Sequence, residues 1–415
     1  MGYNRKIIVV GAGPAGMMAA IRAAALGCSV IILEKKSIPG NKLLISGKGR
    51  CNLTNACDLD SFLKRFSKSG QFLRDAFKKF FNKELIDFFE SRGLKLKVER
   101  QERVFPVTDR SSSILDALKD ELRKNKVEIE VKSEVKEIQV KNGQVAGVVL
   151  VDGRTIFADK VILATGGVSY SFTGSDGGGL KIAKKLGHTV TDLVPGLVPL
   201  EVKQDYPREL EGLTLKNIRI IFSYGAKKIE SEVGELVFTG FGISGPLVLT
   251  LSGTISEWLK AGKSVSAKID LKPALTPEQV DNRLLREFAA NPKKSIHNTL
   301  KELLPIRLID CFLKILSIVP TKKTGEINQK ERRGMALLLK GLSLDIIKTR
   351  PIEEAMVTRG GVSLKEINPR TMESRIIKGL YFAGEMIDVD ADTGGFNLQA
   401  AFSTGYLAGE SASAN

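Results

Sequence analysis

Two glycine-rich patterns at opposite ends of the chain decide what chemistry is open to it. The first, Gly11-x-Gly13-x-x-Gly16, directly follows the apolar run Lys6-Ile-Ile-Val-Val10, and Glu34 closes the next β-branched run. In that context the first glycine permits a tight turn, the second lets backbone approach a pyrophosphate, and the third lets a helix pack on a strand. Pro14 and Ala15 open that helix, whose free N–H groups and positive dipole end would face the pyrophosphate. Glu34 can accept both ribose hydroxyls of an adenosine, which disfavours a 2′-phosphate. The second pattern is Gly379-Leu-Tyr-Phe-Ala-Gly384-Glu385, leading through Asp388 to Thr393-Gly394-Gly395-Phe396-Asn397-Leu398-Gln399. A buried strand ending in glycine can bring an acidic group to ribityl hydroxyls. A following helix can aim its dipole at the N1/O2 edge of a reduced flavin. The pair predicts FAD, because an NAD dehydrogenase has no need of the second element.

The remaining residue types narrow the chemistry by exclusion. Two histidines, His188 and His297, cannot build a histidine-rich metal centre, and four scattered cysteines offer neither a zinc-ligand spacing nor a disulfide scaffold. No metal is expected. A second nucleotide-binding turn and a C-x-x-C pair are both missing from the sequence, so NADH or NADPH is expected to meet the flavin only transiently as donor. No run of eighteen uncharged apolar residues is present, and no signal-peptide pattern, so the expectation is a cytoplasmic chain without a membrane span. The formal net charge of +16 favours partners that carry phosphate, or else an evenly basic surface, since no block of five like charges occurs.

The elements that must position these residues can be read from hydrophobic periodicity. Lys6–Val10, Ser29–Leu33 and Lys160–Ala164 are short, β-branched and continuous, as strands buried on both faces require. With a helix over Ala15–Leu26 the first two form a βαβ unit, whose right-handed crossover implies a parallel sheet. Asp60 to Arg92 carries phenylalanines at helical spacing and predicts two helices. Leu94–Val107 looks extended, Ser113–Lys124 helical, and Val127–Val151 a set of strands turning at Asn142-Gly143. After Val190 short strand-like pieces such as Leu215–Phe222 and Val265–Ile269 alternate with Gly and Pro, as in a small antiparallel barrel or sandwich. From Thr276 to Leu339 the period is helical. The expected fold is α/β: a Rossmann-like FAD-binding domain over 1–190 and 351–415, split by a β-barrel or sandwich over 191–275 and 336–350 and a helical piece over 276–335.

Three further segments carry a resemblance. Val161-Ile-Leu-Ala-Thr-Gly-Gly167 with Thr173-Gly-Ser-Asp-Gly177, and the Tyr381-Phe-Ala-Gly-Glu385 ending, resemble the two-dinucleotide-binding-domain flavoproteins. Within these, Lys42-Leu-Leu-Ile-Ser-Gly-Lys-Gly-Arg-Cys-Asn-Leu-Thr-Asn55 is similar to the aminoacetone oxidase-like (BaiN/RdsA) flavoproteins. Arg103-Val-Phe-Pro106, Thr358-Arg-Gly-Gly-Val362 and Gly394–Gln399 are similar to the same group, so the likeness spans essentially the whole chain. It departs at Glu102, where a glycine is expected.

That resemblance implies non-covalent FAD and a wider set of flavin-site positions. Beyond the first turn and Glu34 these are Lys35, Lys42, Ser46, Gly47, Gly49, Arg50, Cys51, Asn52, Thr54, Thr165, Gly166, Gly167, Gly361, Gly384, Glu385, Asp388, Gly394, Gly395, Asn397, Leu398 and Gln399. Cys51 is also the candidate catalytic residue: an ordinary thiol, with a pKa of about 8.5, is protonated at neutral pH and could complete the reduction of a double bond. Three functions follow from the sequence. One is reduction of an unsaturated substrate with a uridine of ribosomal RNA as the leading case. The second is oxidation or reduction of a small molecule such as an aminoacetone-like amine or a steroid. The third is a non-catalytic FAD-containing RNA-binding protein.

Overall fold

The computed structural model describes residues 5–67 and 69–414. Their backbone forms two compact units, one ending at Gly196 and resuming at Ile352, the other spanning Leu197–Pro351. In the first, β1 (Lys6–Val10), α1 (Pro14–Ala25) and β2 (Ser29–Glu34) build the anticipated βαβ unit. Three more strands, β3 (Glu128–Val131), β4 (Lys160–Leu163) and β5 (Leu380–Phe382), complete a fully parallel sheet in the order β5-β4-β1-β2-β3. Ile7, Ile8 and Val9 have no exposed surface. Burying such side chains is worth about 1.5–3 kcal/mol each, which explains why the central strand carries no polar alternation.

The last helix, α2 (Phe396–Ser413), lies against α1 at unusually short range. A Cβ on Gly405 would sit 2.2 Å from the Ala15 carbonyl oxygen, and one on Gly409 would sit 2.2 Å from that of Ala19. The two glycines, one turn apart, let backbone meet backbone. Arg22 and Glu410 close the far end with an ion pair at 2.6 Å.

Between β2 and β3 the phenylalanine-rich stretch is more broken than periodicity implied. Instead of two helices it has three, Leu59–Leu63, Arg74–Lys79 and Asn82–Glu90. The break at Phe80 has a tertiary cause: its carbonyl accepts from Ser403 Oγ of α2 at 2.6 Å, which takes the place of a further helical bond. Phe62 gathers Phe66, Phe77, Phe81 and Phe396 around itself at centroid distances of 4.7–6.2 Å. The Asn142-Gly143 turn joins antiparallel strands Val135–Lys141 and Gln144–Leu150, both turn residues at positive φ. Glu102, where the resemblance called for glycine, adopts φ +57°.

In the second unit six antiparallel strands close on themselves. Their order is Thr214–Tyr224, Gly234–Thr239, Gly242–Ser244, Leu200–Val202, Leu342–Thr349 and Val265–Asp270, which pairs back to the first with Ile220 opposite Ile269. The architecture is a barrel, not a sandwich. Helix Pro246–Lys260 falls in the region whose texture suggested strands only. Leu247, Val248 and Ile255 bury it against the barrel, and a largely apolar stretch hides its period. Helices Pro277–Ala290, Ile296–Leu300, Ile306–Ile315 and Gln329–Lys340 share one core with the strands, joining Leu284 and Phe312 to Phe222 and Phe238. Among the described residues no helix is long and apolar enough to cross a membrane.

Two outcomes follow. Gly409→Val should lower stability by about 1–3 kcal/mol through forced separation of α1 and α2, read by urea denaturation. His188 is buried against Phe382 with its Nε2 on Ser374 Oγ at 2.7 Å and its Nδ1 without a partner. Burial lowers its pKa from the ordinary histidine value, so the folded state prefers neutral imidazole. Stability should be complete above about pH 6.5, the unfolded value, and fall as pH drops through it toward the lower folded pKa. His188→Gln should flatten that part of a thermal-melt pH profile.

Candidate functional site

The site grows from the first turn. Gly11 adopts φ +102° and donates its N–H to Leu33 O at 2.8 Å, bending the chain back over β2. A Cβ there would lie 2.6 Å from Ala164 O, and one on Gly16 would lie 2.0 Å from Gly11 O, so both positions demand glycine. Around Gly13, by contrast, no atom comes within 4 Å of the Cβ position. Gly13 offers no capping side chain, and no acidic residue sits in the first turn to compete for the helix N–H groups. Glu34 Oε2 accepts from Ala12 N at 2.8 Å and Oε1 from Lys36 N at 2.8 Å, fixing the carboxylate beside the turn at the end of β2. Lys35 is turned to Asp176 at 2.5 Å.

A second group of predicted residues converges on Glu385. Lys42 Nζ lies 2.7 Å from Glu385 Oε2 and 2.7 Å from Ser169 Oγ. Ser169 Oγ donates to Glu385 Oε1 at 3.0 Å, and Thr358 N donates to the same oxygen at 2.6 Å. Thr358 Oγ1 accepts from the N–H groups of Val168 and Ser169 at 2.8 and 3.1 Å. Gly167 must lack a Cβ, which would lie 2.3 Å from Thr358 Oγ1. Four distant segments are thus tied by one knot whose Lys42 and Glu385 side chains keep 24% and 20% of their surface exposed. Gly384, at φ +68°, places the knot beside the first turn: its Cβ would lie 2.8 Å from Ala15 Cβ. Gly361 packs on the backbone of Met386 and Ile387, and Thr165 Oγ1 donates to Met386 Sδ at 2.9 Å. Asp388 donates its backbone N–H to Val362 O at 3.1 Å.

Other predicted residues are spent on holding the frame. Arg50 lies over the Phe105 ring at 4.2 Å and is bound to Glu99 at 2.5 Å and Asp109 at 2.6 Å, the two carboxylates that raise its pKa further. Asn397 brackets Ala391, accepting from its N–H and donating to its carbonyl, both at 2.9 Å. Gln399 has no exposed surface; it accepts from Thr54 Oγ1 at 2.6 Å and donates to Ser403 Oγ at 2.9 Å. Leu398 packs on the core beneath α1. With its amide oriented to satisfy its neighbours, Asn52 Oδ1 accepts from Gly395 N at 3.1 Å. Gly395, at φ +97°, is pressed on Thr54 so closely that a Cβ would lie 2.4 Å from its carbonyl, while Gly394 takes φ +135°. Gly47 and Gly49 stand at φ +55° and +83° in an exposed loop, and Ser46 Oγ donates to Leu43 O at 2.7 Å.

Cys51, the candidate proton donor, follows Arg50 at φ +59°. It has no exposed surface, and burial pushes its thiol up to about 12.

The residues present fit FAD. Gly11, Gly13, Gly16 and the α1 N-terminus form a cradle that a side chain would fill, and Glu34, held by the Ala12 N–H at the end of β2, is the carboxylate that would meet the ribose there. Ser169, Thr404 and the pair Gly405 and Gly409 escaped the sequence reading, which quoted Thr358 within a family segment without giving it a role. Thr404 Oγ1 accepts the Gly384 N–H at 2.9 Å. Only the glycine pair left a sequence signal, its four-residue spacing, because the hydroxyls act through partners far away in the chain.

Comparison with known proteins agrees. Residues 5–411 match the model of the HI0933-like protein Rossmann domain. The chain is 34% identical to the 3-dehydro-bile acid delta(4,6)-reductase of Clostridium scindens, over 98% of each chain. It is 32% identical to the ribosomal RNA dihydrouridine synthase of Escherichia coli, over 96% of each. Its fold is similar to that of the 3-ketosteroid delta1-dehydrogenase of Sterolibacterium denitrificans, with 14% identity, a TM-score of 0.54 and coverage of 99% and 100% of the two chains. The protein is a flavoprotein oxidoreductase that uses FAD. It belongs to the HI0933-like family, the group that its glycine patterns resemble.

Glu34→Gln removes the charged acceptor and should weaken FAD about tenfold to a hundredfold, the equivalent of about 1.5–3 kcal/mol for hydrogen bonds to a charged group. Titration of apoprotein with FAD, followed by flavin fluorescence, measures it.

Proposed function

We propose that this chain reduces a conjugated carbon–carbon double bond, with a uridine of ribosomal RNA as substrate and NADH or NADPH as a transient electron donor. The observation that carries the reading is the pair of near full-length relatives. One is named a delta(4,6)-reductase and the other a dihydrouridine synthase, and both names describe saturation of such a bond. Bound FAD supplies two-electron chemistry. The chain supplies the cradle at Gly11–Gly16, the ribose acceptor Glu34, and the Lys42–Ser169–Glu385–Thr358 knot, whose ammonium and carboxylate remain part exposed beside it. The excess of 63 Lys and Arg over 47 Asp and Glu favours a polyanionic substrate. A base must leave its stack to be reduced, so unfolded or immature RNA is the form expected to react.

A steroid-like enone is the second reading, favoured by the somewhat higher identity to the bile acid enzyme. Anaerobic reduction of the flavin by each nicotinamide, then reoxidation by RNA, by an unsaturated 3-oxosteroid or by oxygen, separates the two. Deletion of the gene should remove one dihydrouridine from ribosomal RNA by nucleoside mass spectrometry; an unchanged profile would sink the RNA reading. Cys51→Ala should keep its turnover per bound FAD while melting at lower temperature.

A further inference from the structure

We propose that one end of the barrel in the second unit is a docking surface for single-stranded RNA, built from Tyr224, Trp258, Lys227, Lys228, Lys260 and Lys263. The proposal rests on the RNA reading above and gives it a place on the protein. Strand Thr214–Tyr224 turns at Gly225-Ala226 into Lys227–Glu230, so the two adjacent lysines stand in an exposed hairpin. Ser223 pairs with Ser266 of the neighbouring strand, a register that carries the hairpin turn past the Lys263-Ser264 approach to that strand. Helix Pro246–Lys260 ends at the same place. Its Trp258 meets Tyr224 edge to face at 4.6 Å, and Lys263 N donates to Trp258 O at 3.0 Å.

Four lysines therefore stand on the hairpin and at the helix end that meet through two half-buried aromatic rings. Among the described residues none of the four has an ion pair, and Lys227 Nζ lies 5.8 Å over the Tyr224 ring. Nearby carboxylates are occupied: Glu230 is bound by Arg219 at 2.6 Å, Asp345 accepts from Gln204 at 3.0 Å, and Glu257 is engaged as well. Unpaired lysines track phosphates, and aromatic faces beside them stack bases without demanding a sequence, which is the combination that single-stranded nucleic acid requires. An anionic membrane would need an apolar face broad enough to enter it, and here two rings, each part covered by the barrel core and part exposed, are all that joins the lysines.

Trp258 is the single tryptophan of the chain, so its fluorescence reports on this patch alone. FAD-loaded protein is titrated with a uridine-rich 20-nucleotide RNA at several salt concentrations, following Trp258 emission and anisotropy of a labelled RNA. Wild type should show a Trp258 change that saturates with the anisotropy. In the Lys227→Ala, Lys228→Ala, Lys260→Ala, Lys263→Ala quadruple variant the slope of log affinity against log salt should shrink by about 3, from about 0.7 per lost phosphate contact. Its affinity should fall at least about tenfold near 0.15 M salt, with FAD content and melting temperature as in wild type. Equal affinity and slope in the two proteins overturns the proposal. So does capture by phosphatidylserine vesicles without RNA binding. If RNA binds as expected but no dihydrouridine forms, the proposed reaction fails while the surface stands. If the quadruple variant makes dihydrouridine at the wild-type kcat/KM, the surface fails while the reaction stands.

Discussion

Backbone meets backbone where α1 crosses α2, and nearly every feature of the first unit depends on that approach. The helix that begins at the nucleotide-binding turn is touched, oxygen to Cα, by the helix that begins at Gly395. Remove the room that Gly405 and Gly409 provide and the two helices must separate. Close approach of this sort is gained from many small dispersion contacts, each weak, that vanish when helices move apart by even an ångström. The glycines carry an entropic cost inside a helix of roughly 1 kcal/mol apiece relative to alanine, and the packing they permit must exceed it.

The polar knot at Glu385 has a different office. Its lysine and glutamate are only partly covered, so their attraction is a modest contribution of the order found for surface pairs, up to about 1 kcal/mol. What the knot supplies is geometry: Ser169 from a loop, Thr358 from the strand Val357–Arg359 and Lys42 from the short helix Asn41–Ile45 each reach the same carboxylate. A carboxylate with so many donors has few rotamers left, and the strand end that bears it is oriented accordingly.

How far the sequence revealed this follows from the range of each interaction. The βαβ unit, Glu34, the parallel strands and the Asn142-Gly143 turn were legible because their causes are local: steric needs of a turn, or burial on both faces. The FAD reading also came through, since both glycine patterns sit at strand ends. What stayed hidden is set by contacts across hundreds of residues. Ser403 of α2 breaks a helix at Phe80, Ser169 and Thr358 complete a site begun at Lys42, and the helix at Pro246–Lys260 vanishes into a largely apolar stretch. In the family segment from Ser46 to Asn55, Arg50 is held by Glu99, Cys51 is buried and Thr54 donates to Gln399, contacts that a motif does not show.

Strand β5 enters the sheet beside β4 although more than two hundred residues separate them in the chain. During synthesis at about 5–20 residues per second, β4 therefore waits on the order of ten seconds or longer with one hydrogen-bonding edge uncovered. Such an edge is a template for pairing with the wrong partner. All the strands of the barrel, by contrast, lie between Leu200 and Thr349, and it can close while β5 is still inside the ribosome. A nascent chain of this design passes through a stage with a finished barrel and an open sheet, and that stage is where chaperones would be needed most.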